Sequence, residues 1–147
     1  VLINEAAMRS FTISISIFLL IPVLVYGQDR TIKEVRIDAA GLSHTLSDKN
    51  SIEGCKEFKP STVQIEHYFK HAFPVEGYMM NIERYSPCYA TGSVTFSDNT
   101  SATWSLMSSG VSSFEFDSGE HLYLYYKYNR WLDVAACTYG LSDELTC

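Results

Sequence analysis

Tyr89–Tyr128, YATGSVTFSDNTSATWSLMSSGVSSFEFDSGEHLYLYYKY, alternates apolar and polar side chains and is interrupted at Asp98-Asn99, Ser108-Ser109-Gly110 and Asp117-Ser118-Gly119. Period-two alternation places successive side chains on opposite faces of a strand, and short Gly, Asn, Asp and Ser clusters supply the reversals between strands. The stretch therefore predicts strands over Tyr89–Ser97, Ser101–Met107, Val111–Phe116 and Glu120–Tyr128, paired as an antiparallel meander. Within Ser101–Met107, Ala102, Trp104 and Leu106 fall on one side and Thr103 and Ser105 on the other. Trp104, Phe114, Phe116, Leu122 and Leu124 are the expected core.

Upstream of the meander, Ser61 and Gln64 form an S-x-x-Q capping box after Pro60, and Ile65, Tyr68, Phe69, Ala72 and Phe73 recur at helical spacing. A helix over Ser61–Phe73 follows, ended by Pro74. Ile32–Asp38 and Tyr78–Arg84 read as further strands, and Ala39–Lys59, rich in Gly, Ser, Asp and Asn, reads as loop. The expected fold is α+β: an antiparallel β-meander of about four to six strands with one amphipathic helix packed on one face. No internal repeat or low-complexity linker interrupts it.

Met8–Gly27, MRSFTISISIFLLIPVLVYG, has the pattern of a secretory signal peptide: Arg9 gives the positive n-region, Ile15–Tyr26 the apolar h-region, and cleavage is expected before Gln28. Ser14, Ser16 and Pro22 interrupt the apolar run, which falls short of the ~20 residues of a spanning helix. No membrane span is expected after signal cleavage. Residues 1–27 are thus read as upstream residues and signal peptide, and 28–147 as a single exported domain, periplasmic or secreted. Cys55, Cys88, Cys137 and Cys147 all fall in that domain, and an even count in a small exported chain predicts two disulfides. Of the three possible pairings, Cys55–Cys88 with Cys137–Cys147 is favoured, because the second pair closes a short loop in which Gly140 permits a tight reversal. Structural zinc needs close ligand pairs such as CxxC, and none occurs.

Against 17 acidic residues stand 11 basic ones, a formal net charge of −6, with no basic run. Nucleic-acid binding, which depends on clustered Lys and Arg, is disfavoured. A cationic protein surface is the natural complement. The acids gather late, with Glu115, Asp117 and Glu120 around one turn, and Tyr123, Tyr125 and Trp131 follow. If Leu122 and Leu124 are core, alternation sends Tyr123 and Tyr125 to the opposite, exposed or loop-covered face. Glu115, Asp117, Glu120, Tyr123, Tyr125 and Trp131 are therefore the candidate partner-binding residues.

Catalytic patterns are weak by comparison. His67 and His71 share a helical face at i,i+4 but lack the glutamate of HExxH and any local third ligand. No GxSxG elbow marks a nucleophilic serine, and the carboxylates near residue 117 depend on separations that a sequence does not reveal. No catalytic residue, metal or cofactor is assigned.

Ser86–Asp143 contains SPCYATG, an ATW hairpin, GVSSFEFDSG, YLY and WLDVAAC. These motifs resemble a group of small exported Gram-negative proteins, similar in size, export and disulfide use to periplasmic immunity proteins that protect against antibacterial effectors. The resemblance implies an immunity protein, and with the weak catalytic patterns and the acidic surface the expected function is a non-enzymatic binding protein, an immunity or inhibitor protein that blocks a toxin or cell-wall hydrolase with a basic cleft. The shared motifs are turn glycines, core aromatics and cysteines, so no functional residue is carried over. The competing readings are a small exported hydrolase or lytic effector and a structural envelope or assembly subunit.

Overall fold

The computed structural model describes residues 30–139. The expected signal segment and Cys147 lie outside them. Six strands form one antiparallel sheet: β1 (Ile32–Ser43), β2 (Phe73–Val75), β3 (Cys88–Phe96), β4 (Ser101–Met107), β5 (Val111–Phe116) and β6 (His121–Tyr125). Their order is β1-β3-β4-β5-β6-β2, so the sequential meander β3 to β6 is bordered by one earlier strand on each edge. Two short α-helices, α1 (Lys49–Cys55) and α2 (Thr62–His71), and a π-helical turn at Met79–Glu83 complete the α+β fold.

The register explains the core. Val35, Val94, Ala102 and Phe116 stand in one cross-strand row; Gly92, Trp104, Phe114 and Leu122 form the next; Ala90, Leu106, Ser112 and Leu124 the third. Direct cross-strand partners share a face. Val94, Ala102, Trp104, Leu106 and Phe114 are buried in one cluster with Ile65 and Tyr68 of α2. Phe69 of α2 makes edge contacts with Phe114 (4.9 Å between centroids) and Trp104 (5.9 Å). The capping box is formed as the sequence predicts: Ser61 accepts from the Gln64 N–H, and the Gln64 side chain accepts from the Ser61 N–H at 2.8 Å.

Tyr68 is the polar pin of this layer. It is fully buried, and its hydroxyl lies 2.9 Å from Ser112 Oγ and donates to the Leu124 carbonyl at 3.0 Å. Burial pushes its phenol pKa well above the usual range. Cys55 and Cys88 are joined in a buried disulfide that ties α1 to β3. By loop-closure entropy, a bridge across 33 residues stabilises by about 3–4 kcal/mol. Cys137 is also disulfide-bonded, and its expected partner Cys147 lies outside the described residues.

Three expectations are corrected. Ala39–Lys59 is not one loop: β1 continues to Ser43, and α1 follows, with Asp48 as its N-cap. Tyr78–Arg84 is not a strand but contains the π-helical turn, and Phe73–Val75 takes the place beside β6. The last strand ends at Tyr125 rather than Tyr128, where the Tyr126 N–H turns to the Gly110 carbonyl. The helical part is consequently more than one helix. Both edges of the sheet discourage further strand pairing: β1 carries register shifts and exposed Lys33, Glu34, Arg36 and Asp38, and β2 is three residues long with Pro74 in its centre.

Candidate functional site

The second face of the sheet is built from the alternate residues of the same strands. Arg36, Ser93, Thr103, Glu115 and His121 make one row across five strands; Thr91, Ser105, Ser113 and Tyr123 make the next. Serine and threonine suit this position because they hold strand geometry without presenting bulk. The result is a shallow concavity of about 380 Å³ over Thr91, Thr103, Ser105 and Ser113, with Asp38 and Glu115 among its lining and His121 beside them. Asp38 is partly matched by Arg36, at 3.7 Å. Glu115, Asp117 and Glu120 are exposed, and none of the three makes a salt bridge among the described residues. β5 ends at Phe116 and β6 begins at His121, so Asp117 and Glu120 sit in the turn that follows Glu115.

Of the candidate aromatics, Tyr123 is half-buried on this face, with its ring against the His121 imidazole at 4.6 Å and the Gly77 backbone beneath it. Tyr125 and Trp131, the other two candidate aromatics, are more enclosed. Tyr125 follows the predicted alternation, but at its end of the sheet that face is covered: it is 8% exposed, with Arg84 over its ring at 5.6 Å and Phe73 against its edge. Trp131 braces the core, packing on Phe58 (5.9 Å) and Tyr68 (5.7 Å) while its Nε1–H donates to the Ser108 carbonyl at 2.9 Å.

The covering at Tyr125 rests on a hydrogen-bonded cluster that sequence reading missed. Asp133 accepts from the hydroxyls of Ser108 (2.8 Å) and Tyr139 and from the Ala135 N–H (3.1 Å), and Ser108 in turn meets buried Ser86 at 2.7 Å. Burial, reinforced by the Asp133 carboxylate, drives the Tyr139 phenol pKa far upward, so Tyr139 remains a donor. Tyr125 and Asn129 border the adjoining cavity of about 160 Å³, which has room for ordered water. The only sequence signal was the density of Ser, Asp and Tyr near the β4–β5 turn and the chain end. Those residue types are equally common in solvated loops.

His67 and His71 do lie together, with ring centroids 4.2 Å apart. The His71 Nδ1–H donates to the His67 carbonyl at 2.7 Å, and both rings contact Tyr126. Desolvation, with Arg130, His71 and Lys70 nearby, lowers the His67 pKa. Among the described residues no group of three or more His, Cys, Asp and Glu converges to hold a metal, and no helix is long and apolar enough to cross a membrane.

Comparison with family models, with curated proteins and with solved structures finds no significant match to this chain. The geometry of the hydroxyl-lined face and its acidic turn is therefore the basis for a functional reading.

Proposed function

We propose that this is a non-enzymatic, periplasmic or secreted binding protein, an immunity or inhibitor protein that caps a basic cleft of a toxin or cell-wall hydrolase. The observation that carries the reading is the part of the second sheet face that stays open: a hydroxyl-lined concavity edged by Glu115 and continued by Asp117 and Glu120 at the turn. With α2 as the amphipathic helix on the apolar face, this second face is left for a partner. Small hydroxyl side chains give up little rotamer entropy on contact, and an unpaired acidic rim steers a cationic partner. The buried Cys55–Cys88 disulfide suits an oxidising compartment. Strand addition by an assembly subunit is disfavoured by the bulged, charged edge at β1 and by Pro74 at β2.

The test is co-expression with the product of an adjacent gene for an exported toxin or hydrolase, scored by survival and by association kinetics. Protection is expected. Glu115→Lys with Glu120→Lys should slow association by about tenfold or more at low salt and leave the fold intact, the difference shrinking as salt rises. Absence of binding and protection rejects the immunity reading, and turnover of a cell-wall polymer by the protein itself replaces it with the hydrolase reading.

A further inference from the structure

α2 covers only part of the apolar face. Tyr68 reaches across to Ser112 and Leu124, and Phe69 to Trp104 and Phe114, which leaves Phe96, Phe116 and Leu122 at the far end only partly buried. Between them and the helix lies a cleft of about 440 Å³ whose apolar wall is Phe69, Phe96, Phe114, Phe116, Leu122 and Leu124. That volume falls in the range of about 300–1,000 Å³ typical of small-molecule sites. Among the described residues its charged lining is one-sided: Arg30 and Lys70 border it and no acidic residue does, in a chain of net charge −6. Arg30 stacks over Phe96 (5.3 Å) and Phe116 (5.7 Å) while pairing with Asp98 at 3.0 Å. Lys70 is exposed, and its ammonium makes no ion pair or hydrogen bond among the described residues.

We infer that this cleft binds a single-chain amphiphile, an acyl chain ended by one carboxylate, with the chain against the phenylalanines and the carboxylate at Lys70 and Arg30. Charge complementarity selects the occupant. A neutral apolar molecule leaves Lys70 unused, and a cation meets the uncompensated Lys70 charge at the mouth. The site lies on the face opposite the hydroxyl-lined concavity, so the inference stands independently of the partner proposed for that surface.

The probe is 11-(dansylamino)undecanoic acid, followed by fluorescence titration of the purified protein, with its methyl ester as the uncharged counterpart. One saturable site is expected. Lys70→Glu, an exposed change that spares the fold, should weaken the acid by about tenfold or more and the ester by less than about twofold. Leu122→Trp, which fills the cleft, should abolish binding of both, with circular dichroism confirming that the variant folds. Four outcomes overturn the inference: no saturable binding of the acid, equal effects of Lys70→Glu on acid and ester, undiminished binding to folded Leu122→Trp, or association only with phosphatidylglycerol vesicles and not with the free probe.

Discussion

Gly92 is the position where the sheet tolerates no side chain, and replacing it with alanine measures how tightly β1, β3 and β4 are held together. A Cβ at this site would lie 2.0 Å from the Arg36 carbonyl oxygen and 2.3 and 2.8 Å from Cζ2 and Cε2 of Trp104. The indole, 3% exposed, lies across Gly92 from the neighbouring strand, and the Arg36 carbonyl belongs to the strand on the other side. Two responses are open to Gly92→Ala. The indole leaves its slot, which at the limit forfeits the about 3–5 kcal/mol of a buried large aromatic. Otherwise the β1–β3 ladder opens, which exceeds the about 1–3 kcal/mol usual for one extra methyl in a packed core because the obstructing atom is backbone. The expected loss is about 3–5 kcal/mol. Gly54, in α1, is the internal control: nothing lies within 4 Å of its hypothetical Cβ, so Gly54→Ala should stabilise by about 0.5–1 kcal/mol through helix propensity. Urea unfolding under oxidising conditions, followed by far-ultraviolet circular dichroism and tryptophan fluorescence, reads both. A Gly92→Ala protein within about 1 kcal/mol of the parent, with unchanged near-ultraviolet dichroism, would refute the packing described for Trp104.

Tyr68→Phe should cost about 1–3 kcal/mol, because it strands the buried Ser112 hydroxyl and Leu124 carbonyl. A double-mutant cycle with Ser112→Ala should show a smaller loss than the sum of the two, and strict additivity would disprove the contact. His44 stacks on Tyr89 at 3.9 Å, and desolvation lowers its pKa below the ordinary 6.5, so the unfolded chain binds the proton more readily. Its contribution is present above about 6.5 and is lost as pH falls through the depressed folded value; ring titration by NMR should give that lower value, and His44→Gln should remove the associated pH slope in stability.

The parts of the fold that were legible are those whose local chemistry agrees with their tertiary setting. β4 and β5 occupy Ser101–Met107 and Val111–Phe116 as the alternation predicts, and the turn between β3 and β4 places Asn99 at φ 62°, a conformation asparagine tolerates. The α2 capping box formed because its two partners are three residues apart and need nothing else. What failed depended on distant partners. α1 has seven residues, a glycine near its end and a single buried side chain, Cys55, so no apolar period announces it; the disulfide to β3 holds it. The stretch after Gly77 had strand-like composition, but the edge beside β6 was already taken by Phe73–Val75.

The same distinction governs the candidate surface. Alternation assigned Tyr123 and Tyr125 to one face, and the pairing of Ser113 with Tyr123 and Val111 with Tyr125 agrees with it. Parity does not say what lies above that face. Over Tyr125 it is Arg84, in the approach to β3, held near the Asp133 cluster. Over Thr103, Ser105 and Ser113 it is the shallow concavity. A period-two pattern therefore identifies a second face, while long-range hydrogen bonds from Ser108, Asp133 and Tyr139 decide how much of it remains open. Since Tyr125 and Trp131 pack into the interior, the partner contact proposed for this face falls to Glu115, Asp117, Glu120 and Tyr123. Three of these four are carboxylates, so discrimination among partners there should depend on charge more than on aromatic anchoring.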